Sequence, residues 1–149
     1  DFTSGGGTGN TSHAFDPLYG TPHKFWGSMD YFYAGNGFGN KGLIDCFVKA
    51  NYRPSGKLKI ALDLHQFVSA SEVPGPDDHS LSRNFGTESD LVCSYSLSGQ
   101  IGFEAGYSHY FGTSSLSSPA VKNINNASLN SNWAYLGINI LIPAMTGKN

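Results

Sequence analysis

Six segments of this chain alternate in side-chain character with a period of two, and that pattern leaves few folds open. From Lys57 to Ala70, Leu58, Ile60, Leu62 and Leu64 fall on one side of an extended chain, and Lys59, Ala61, Asp63 and His65 on the other. Gly42–Arg53 sets Ile44, Cys46, Val48, Ala50 and Tyr52 against Asp45, Phe47, Lys49 and Asn51. Phe85–Leu97 sets Thr87, Ser89, Leu91, Cys93 and Tyr95 against Glu88, Asp90, Val92 and Ser94. In Ile101–Gly112, Ile101, Phe103, Ala105, Tyr107, His109 and Phe111 oppose Gly102, Glu104, Gly106, Ser108 and Tyr110. Asn132–Pro143 places Ala134, Leu136, Ile138, Ile140 and Ile142 opposite Trp133, Tyr135, Gly137 and Asn139. A 3.6-residue period fits none of these as well, so the expected class is all-β.

The sixth segment, His23–Ala34, contains the aromatic run Lys24–Tyr33 (KFWGSMDYFY). If extended, Phe25, Gly27, Met29, Tyr31 and Tyr33 share one face, and Trp26, Ser28, Asp30 and Phe32 the other. Neither face is polar in the way a soluble sheet requires. At about twelve to fourteen residues, these strands are roughly twice the usual length. Short turns such as Pro54-Ser55-Gly56 and Ser98-Gly99-Gln100 alternate with long loops, 71–84 and 113–131. Long strands with short turns on one rim and long loops on the other are the pattern of an up-and-down outer-membrane β-barrel.

Composition bears on what this excludes. Charged residues are only 13% of the 149, about half the usual share, while glycines number 19. That is the opposite of a disordered balance. A net charge of −2, with no run of Lys or Arg, argues against nucleic-acid binding. No apolar stretch reaches the roughly 18 residues of a transmembrane helix, which leaves barrel strands untouched. No signal peptide is visible and the first residue is Asp1, as expected of a processed or partial chain. Residues 1–22 read as a flexible linker, 23–143 as the β-barrel segment and 144–149 as a tail. The early Gly-rich run follows no strand and lacks the Lys-Ser/Thr ending of a phosphate loop. Cys46 and Cys93 lie on different hairpins, too far apart for a disulfide, and read as free thiols, buried or lipid-facing.

Tyr19-Gly20-Thr21-Pro22-His23-Lys24-Phe25-Trp26-Gly27 followed by Met29-Asp30-Tyr31-Phe32-Tyr33 resembles the last third of Bacteroidetes-type outer-membrane proteins of the alginate-export porin family. Asn51-Tyr52 before Pro54-Ser55, Asp63-Leu64-His65 and Asn132-Trp133-Ala134-Tyr135 carry the likeness onward in the same order, over about residues 15–142. The resemblance implies a transport barrel, with this chain supplying the last strands of a larger one. Six strands are fewer than the eight that normally close a membrane barrel, so further strands or other chains are expected as partners. The last strand also departs from the family pattern, running on through Ala144–Asn149 rather than ending on an aromatic residue.

Keeping polar residues on one face sets an expected register. Asp30, Asp45, His65, Glu88, Tyr110 and Trp133 then form one lumenal row. Phe47, Asp63, Asp90 and Ser108 form the next, with Lys49 and Lys59 nearer the short turns. Barrel shear slopes the row. Such a wall is net acidic and favours cations or neutral sugars over polyanions, with Trp26, Tyr110, Trp133 and Tyr135 available to stack on sugar rings. The same charges also suit a wall that is merely solvated and cross-linked. The outward set is Ile44, Val48, Ile60, Leu62, Leu64, Leu136, Ile138 and Ile140, a charge-free band expected to face lipid.

His65 among Asp63, Glu88 and Asp45 reads better as a hydrogen-bonded strand histidine than as a metal ligand or acid/base pair. Asp77-Asp78-His79 reads better as a solvated loop than as a Ca²⁺ site. No metal, cofactor or catalytic residue is assigned, since no Ser-His-Asp order, GxSxG or HExxH string occurs. Asn10-Thr11-Ser12 and Asn126-Ala127-Ser128 are glycosylation sequons only in a secretory eukaryote. Three classes follow: an outer-membrane channel for small polar solutes or saccharides, a structural barrel subunit packing on other chains, and a soluble lipocalin-type barrel. The last would invert the pattern, with apolar residues inside and charges outside.

Overall fold

The structure is a computed structural model that describes residues 1–7, 11–13, 15, 26–32 and 38–142. His23–Phe25 and Tyr33–Ala34 of the expected first strand lie outside the described residues. So do residues 19–25 of the family-like stretch, Asn10 of the first sequon, and Pro143 with the tail 144–149.

One antiparallel sheet of six strands runs in the order β1 (Phe2–Thr3), β2 (Leu43–Tyr52), β3 (Leu58–Ser69), β6 (Asn84–Ser96), β7 (Ile101–Gly112) and β8 (Asn130–Ile140). Among the described residues it does not close into a barrel. The five long strands are consecutive up-and-down neighbours, because each alternating run meets the next through a tight turn or a single loop. The turns after β2 and β6 lie at one end. The loops before β2, after β3 and after β7 lie at the other. Within the β3–β6 connection, β4 (Val73–Pro74) and β5 (Ser80–Leu81) form a small hairpin around a 3₁₀ turn at Pro76–Asp78. After β7, the single-turn α1 (Ser114–Ser117) is capped by Thr113, whose Oγ1 accepts the Leu116 N–H at 3.4 Å.

Over its described residues, 26–32, the expected first strand is not formed. Residues 26–32 turn instead, because Gly27 (φ +81°) and Asp30 (φ +55°) both take the left-handed conformation that ends an extended run. The sixth strand of the sheet is β1, in the stretch read as linker. Phe2 pairs with Ile44 and Thr3 with Leu43.

The register of the three central strands follows the polar-face rule. His65 opposes Glu88, Glu88 opposes Tyr110, Asp63 opposes Asp90 and Asp90 opposes Ser108. At both flanks the pairing is displaced by two residues, which keeps each side chain on its expected face. Asp45 opposes Phe67 rather than His65, and Tyr110 opposes Ser131 rather than Trp133.

The apolar core sits on one face at the loop end of this sheet. Phe67, Phe85 and Tyr110 from the strands meet Trp26 and Phe32 from the turn segment and Leu116 and Val121 from the β7–β8 loop. Opposite them the outer face is open. Leu136 is 88% exposed, and Val48, Leu62, Leu64, Ile138 and Ile140 are exposed with it, while Ile44 and Ile60 are half-buried. Cys46 and Cys93 are free and exposed on that same face.

Candidate functional site

Every strand residue with an Asp, Glu, Lys or Arg side chain between Leu43 and Ile140 shares the inner face: Asp45, Lys49, Lys59, Asp63, Glu88, Asp90 and Glu104. This follows from period two and correct pairing, and it makes the inner face the place to look for chemistry. The structure divides it obliquely into a covered half toward the loop end of the central strands and an open half that takes the turn end and reaches further up the β2 and β8 flanks.

In the covered half, residues 26–32 lie across the strands. The Met29 N–H donates to Glu88 Oε1 at 2.9 Å, and the Ser28 N–H donates to Asp90 Oδ2 at 3.3 Å. Gly27 makes this approach possible, since a Cβ there would stand 2.5 Å from Glu88 Oε1. Tyr31 stacks on Tyr110 with ring centroids 4.1 Å apart and planes 6° from parallel. Phe32 packs on Phe67 at 4.6 Å. The Tyr110 hydroxyl donates to the Phe85 carbonyl at 3.0 Å. Lys122, from the β7–β8 loop, donates to the Tyr31 carbonyl and sits 5.6 Å from the ring centres of both Tyr31 and Phe32. Burial lowers the pKa of its ammonium below the usual lysine range.

Asp45, His65, Glu88, Asp90, Ser108 and Tyr110 are buried, Glu88 completely. His65 Nδ1 lies 2.9 Å from Asp45 Oδ2, and the His65 ring stacks on Phe67. No group of three or more His, Cys, Asp or Glu side chains among the described residues is placed to hold a metal ion.

The open half carries Phe47, Lys49, Lys59, Asp63, Glu104, Trp133 and Tyr135. Lys49 Nζ donates to Asp63 Oδ2 at 2.8 Å. Trp133 and Tyr135 pack ring against ring, centroids 4.9 Å apart and planes 33° from parallel. The Tyr135 hydroxyl donates to Glu104 Oε1 at 2.7 Å, and Ser94 Oγ donates to Glu104 Oε2 at 3.1 Å.

Of the residues expected to line one lumenal row, the structure brings Asp45, His65, Glu88 and Tyr110 together beneath a cover. It leaves Trp133 in the open half and Asp30 in the covering segment. Glu104 was not singled out in the sequence. Its signal is its place two residues from Gly106, which lets the Tyr135 ring reach across the strand. Comparison of the chain with protein-family models, with curated proteins and with solved structures gives no match.

Proposed function

We propose that the chain forms part of the wall of a bacterial outer-membrane β-barrel channel that passes small polar solutes or saccharides, as its resemblance to the alginate-export porins implies. One observation carries this reading. Across five long strands, all Asp, Glu, Lys and Arg side chains point inward, while the outer face exposes a band of apolar side chains. A band of that extent is a liability in water and a requirement in lipid. The β8 end of the band begins lower than the β2 end. Asn130 and Asn132 occupy the rim where Cys46 and Val48 stand across the sheet, which fits strands tilted in a sheared wall. Strands of 10 to 13 residues span about 33–43 Å. Tilted by about 45°, they rise roughly 23–30 Å, matching the apolar height of such barrels.

The free edges also support a larger wall. From Cys46 to Tyr52, β2 has no outer strand partner among the described residues, and neither has the far edge of β8. Unpaired strand edges are not tolerated in hydrocarbon, so further strands, from the same protein or other chains, complete the barrel.

Membrane extraction followed by planar-bilayer recording tests the proposal. The expected result is extraction only with detergent and discrete conductance steps on reconstitution. Monodisperse protein in plain buffer would sink the membrane reading in favour of a soluble barrel.

A further inference from the structure

We propose that Trp133, Tyr135 and Glu104 form a binding platform for a neutral saccharide on the open half of the inner face. The inference deepens the channel reading and rests on it for the water-filled side of the wall.

Residues 133 and 135 are two apart on β8, so both rings leave the same face. Their planes differ by 33° at a centroid separation of 4.9 Å. Rings that close cannot lie edge to edge, so they overlap as a tilted stack, which presents an open aromatic face rather than the enclosing cage that a compact ammonium ion needs. The Tyr135 ring is held at two points. Its hydroxyl is tied to Glu104, and its body lies over Gly106, where a Cβ would fall 1.9 Å from Tyr135 Cε1. A glycine there is what lets the ring lie across the strand, so the surface is formed before any ligand arrives, and little ordering cost remains at binding.

The chemistry around the rings is that of hydroxyl recognition. Both oxygens of Glu104 already accept from hydroxyl groups, those of Tyr135 and Ser94, and each keeps a lone pair for another donor. Trp133 pairs across to Ser108, Tyr135 to Gly106 and Glu104 to Gly137, so small side chains surround the platform. Trp133 remains 36% exposed. A pyranose has an apolar C–H face for the rings and an edge of hydroxyls for Glu104.

Charge argues for a neutral ligand. The carboxyls Asp45, Glu88 and Asp90 are buried, the last two under residues 26–32, whereas the open half balances Asp63 and Glu104 against Lys49 and Lys59. Lys49 is engaged by Asp63, and at the platform itself the charge is that of Glu104 alone.

Isothermal titration calorimetry with cellohexaose and maltohexaose, on the chain in whatever medium keeps it monodisperse, reads the platform independently of conduction. The expected result is saturable binding of at least one of them by the wild type. Binding weakens about tenfold in Trp133→Ala, the loss of one aromatic stacking surface. Gly106→Ala, which forces Tyr135 off the strand, weakens it similarly, while Trp133→Phe retains most of it. Hexagalacturonate binds at least about tenfold more weakly than its neutral counterpart, and tetramethylammonium does not compete. Absence of binding to both neutral hexaoses, unchanged binding in Trp133→Ala and Gly106→Ala, or displacement by tetramethylammonium would each overturn the platform. The two readings fail separately. Conductance without oligosaccharide binding removes the platform and keeps the channel. Binding without bilayer insertion removes the channel and keeps a saccharide-binding face.

Discussion

The covered and open halves of the inner face are built on the same strands from similar residues, yet their side chains do opposite work. In the covered half a polar row became interior: Glu88 and Asp90 receive backbone N–H groups from a segment that also inserts Phe32 among Phe67, Phe85 and Tyr110. In the open half Phe47 is 44% exposed and the Lys49–Asp63 pair is in contact with solvent. A strand face is thus polar or buried according to what crosses it, and alternation alone specifies only that its residues share a side.

The sharpest way to break the comparison is to remove an aromatic side chain from each half. Phe32→Ala empties a fully buried position and is expected to cost about 4 kcal/mol. Phe47→Ala, on the open wall, is expected to cost less than about 1 kcal/mol. Urea midpoints in a medium that keeps the chain monodisperse, followed by tryptophan emission, measure both, and equal losses would mean that residues 26–32 do not pack on the sheet. The buried histidine pair extends the test. Asp45→Ala leaves His65 buried without its carboxylate and is expected to cost on the order of 3 kcal/mol by the same measurement.

Gly27→Ala probes how the cover is seated. It places a methyl group against Glu88 at a left-handed φ, at a cost of about 2 kcal/mol. It should also speed proteolytic cleavage within residues 26–32 while leaving strand protection unchanged. A smaller effect is expected from pH through Lys122. Its folded-state pKa is lowered by burial, so between that value and about 10.4 the unfolded chain holds more protons than the folded one. Stability therefore rises with pH across that window. Lys122→Met should flatten the rise in thermal scans from neutral to alkaline pH.

Much of this architecture is legible in the sequence because the five long strands declare themselves by strict alternation. A one-residue slip would turn Leu62 and Leu64 inward and Asp63 outward, so the central register is tightly specified. The segment 26–32 shows where such reading stops. Its two apolar faces were compatible with a strand between lipid and an aromatic lumen, but they equally suit a turn swallowed by aromatic neighbours, and only tertiary packing decides. Gly27 beside Trp26 was the available hint. Strand β1 had no local signal, since two residues carry no period. The platform was half visible: Trp133 and Tyr135 stand out as aromatics on a polar face, but their link to Glu104 depends on the β7–β8 register, which sits two residues from the expected one.

The smallest effect tests the open half on its own terms. Lys49 and Asp63 are directly opposed on β2 and β3, and their ion pair is partly exposed, with side chains 43% and 26% accessible. Water and counterions share such a pair, so a double-mutant cycle of Lys49→Ala and Asp63→Ala should give a coupling of about 0.5 kcal/mol at low salt. That coupling should fade near about 0.5 M salt, where screening acts within a few ångströms. A salt-independent coupling of several kcal/mol would instead place this pair in a dry interior. The division of the wall into covered and open halves would then be wrong at the point where it is drawn, because the Lys49–Asp63 end of the row would be as interior as Asp90 and Ser108 further along it.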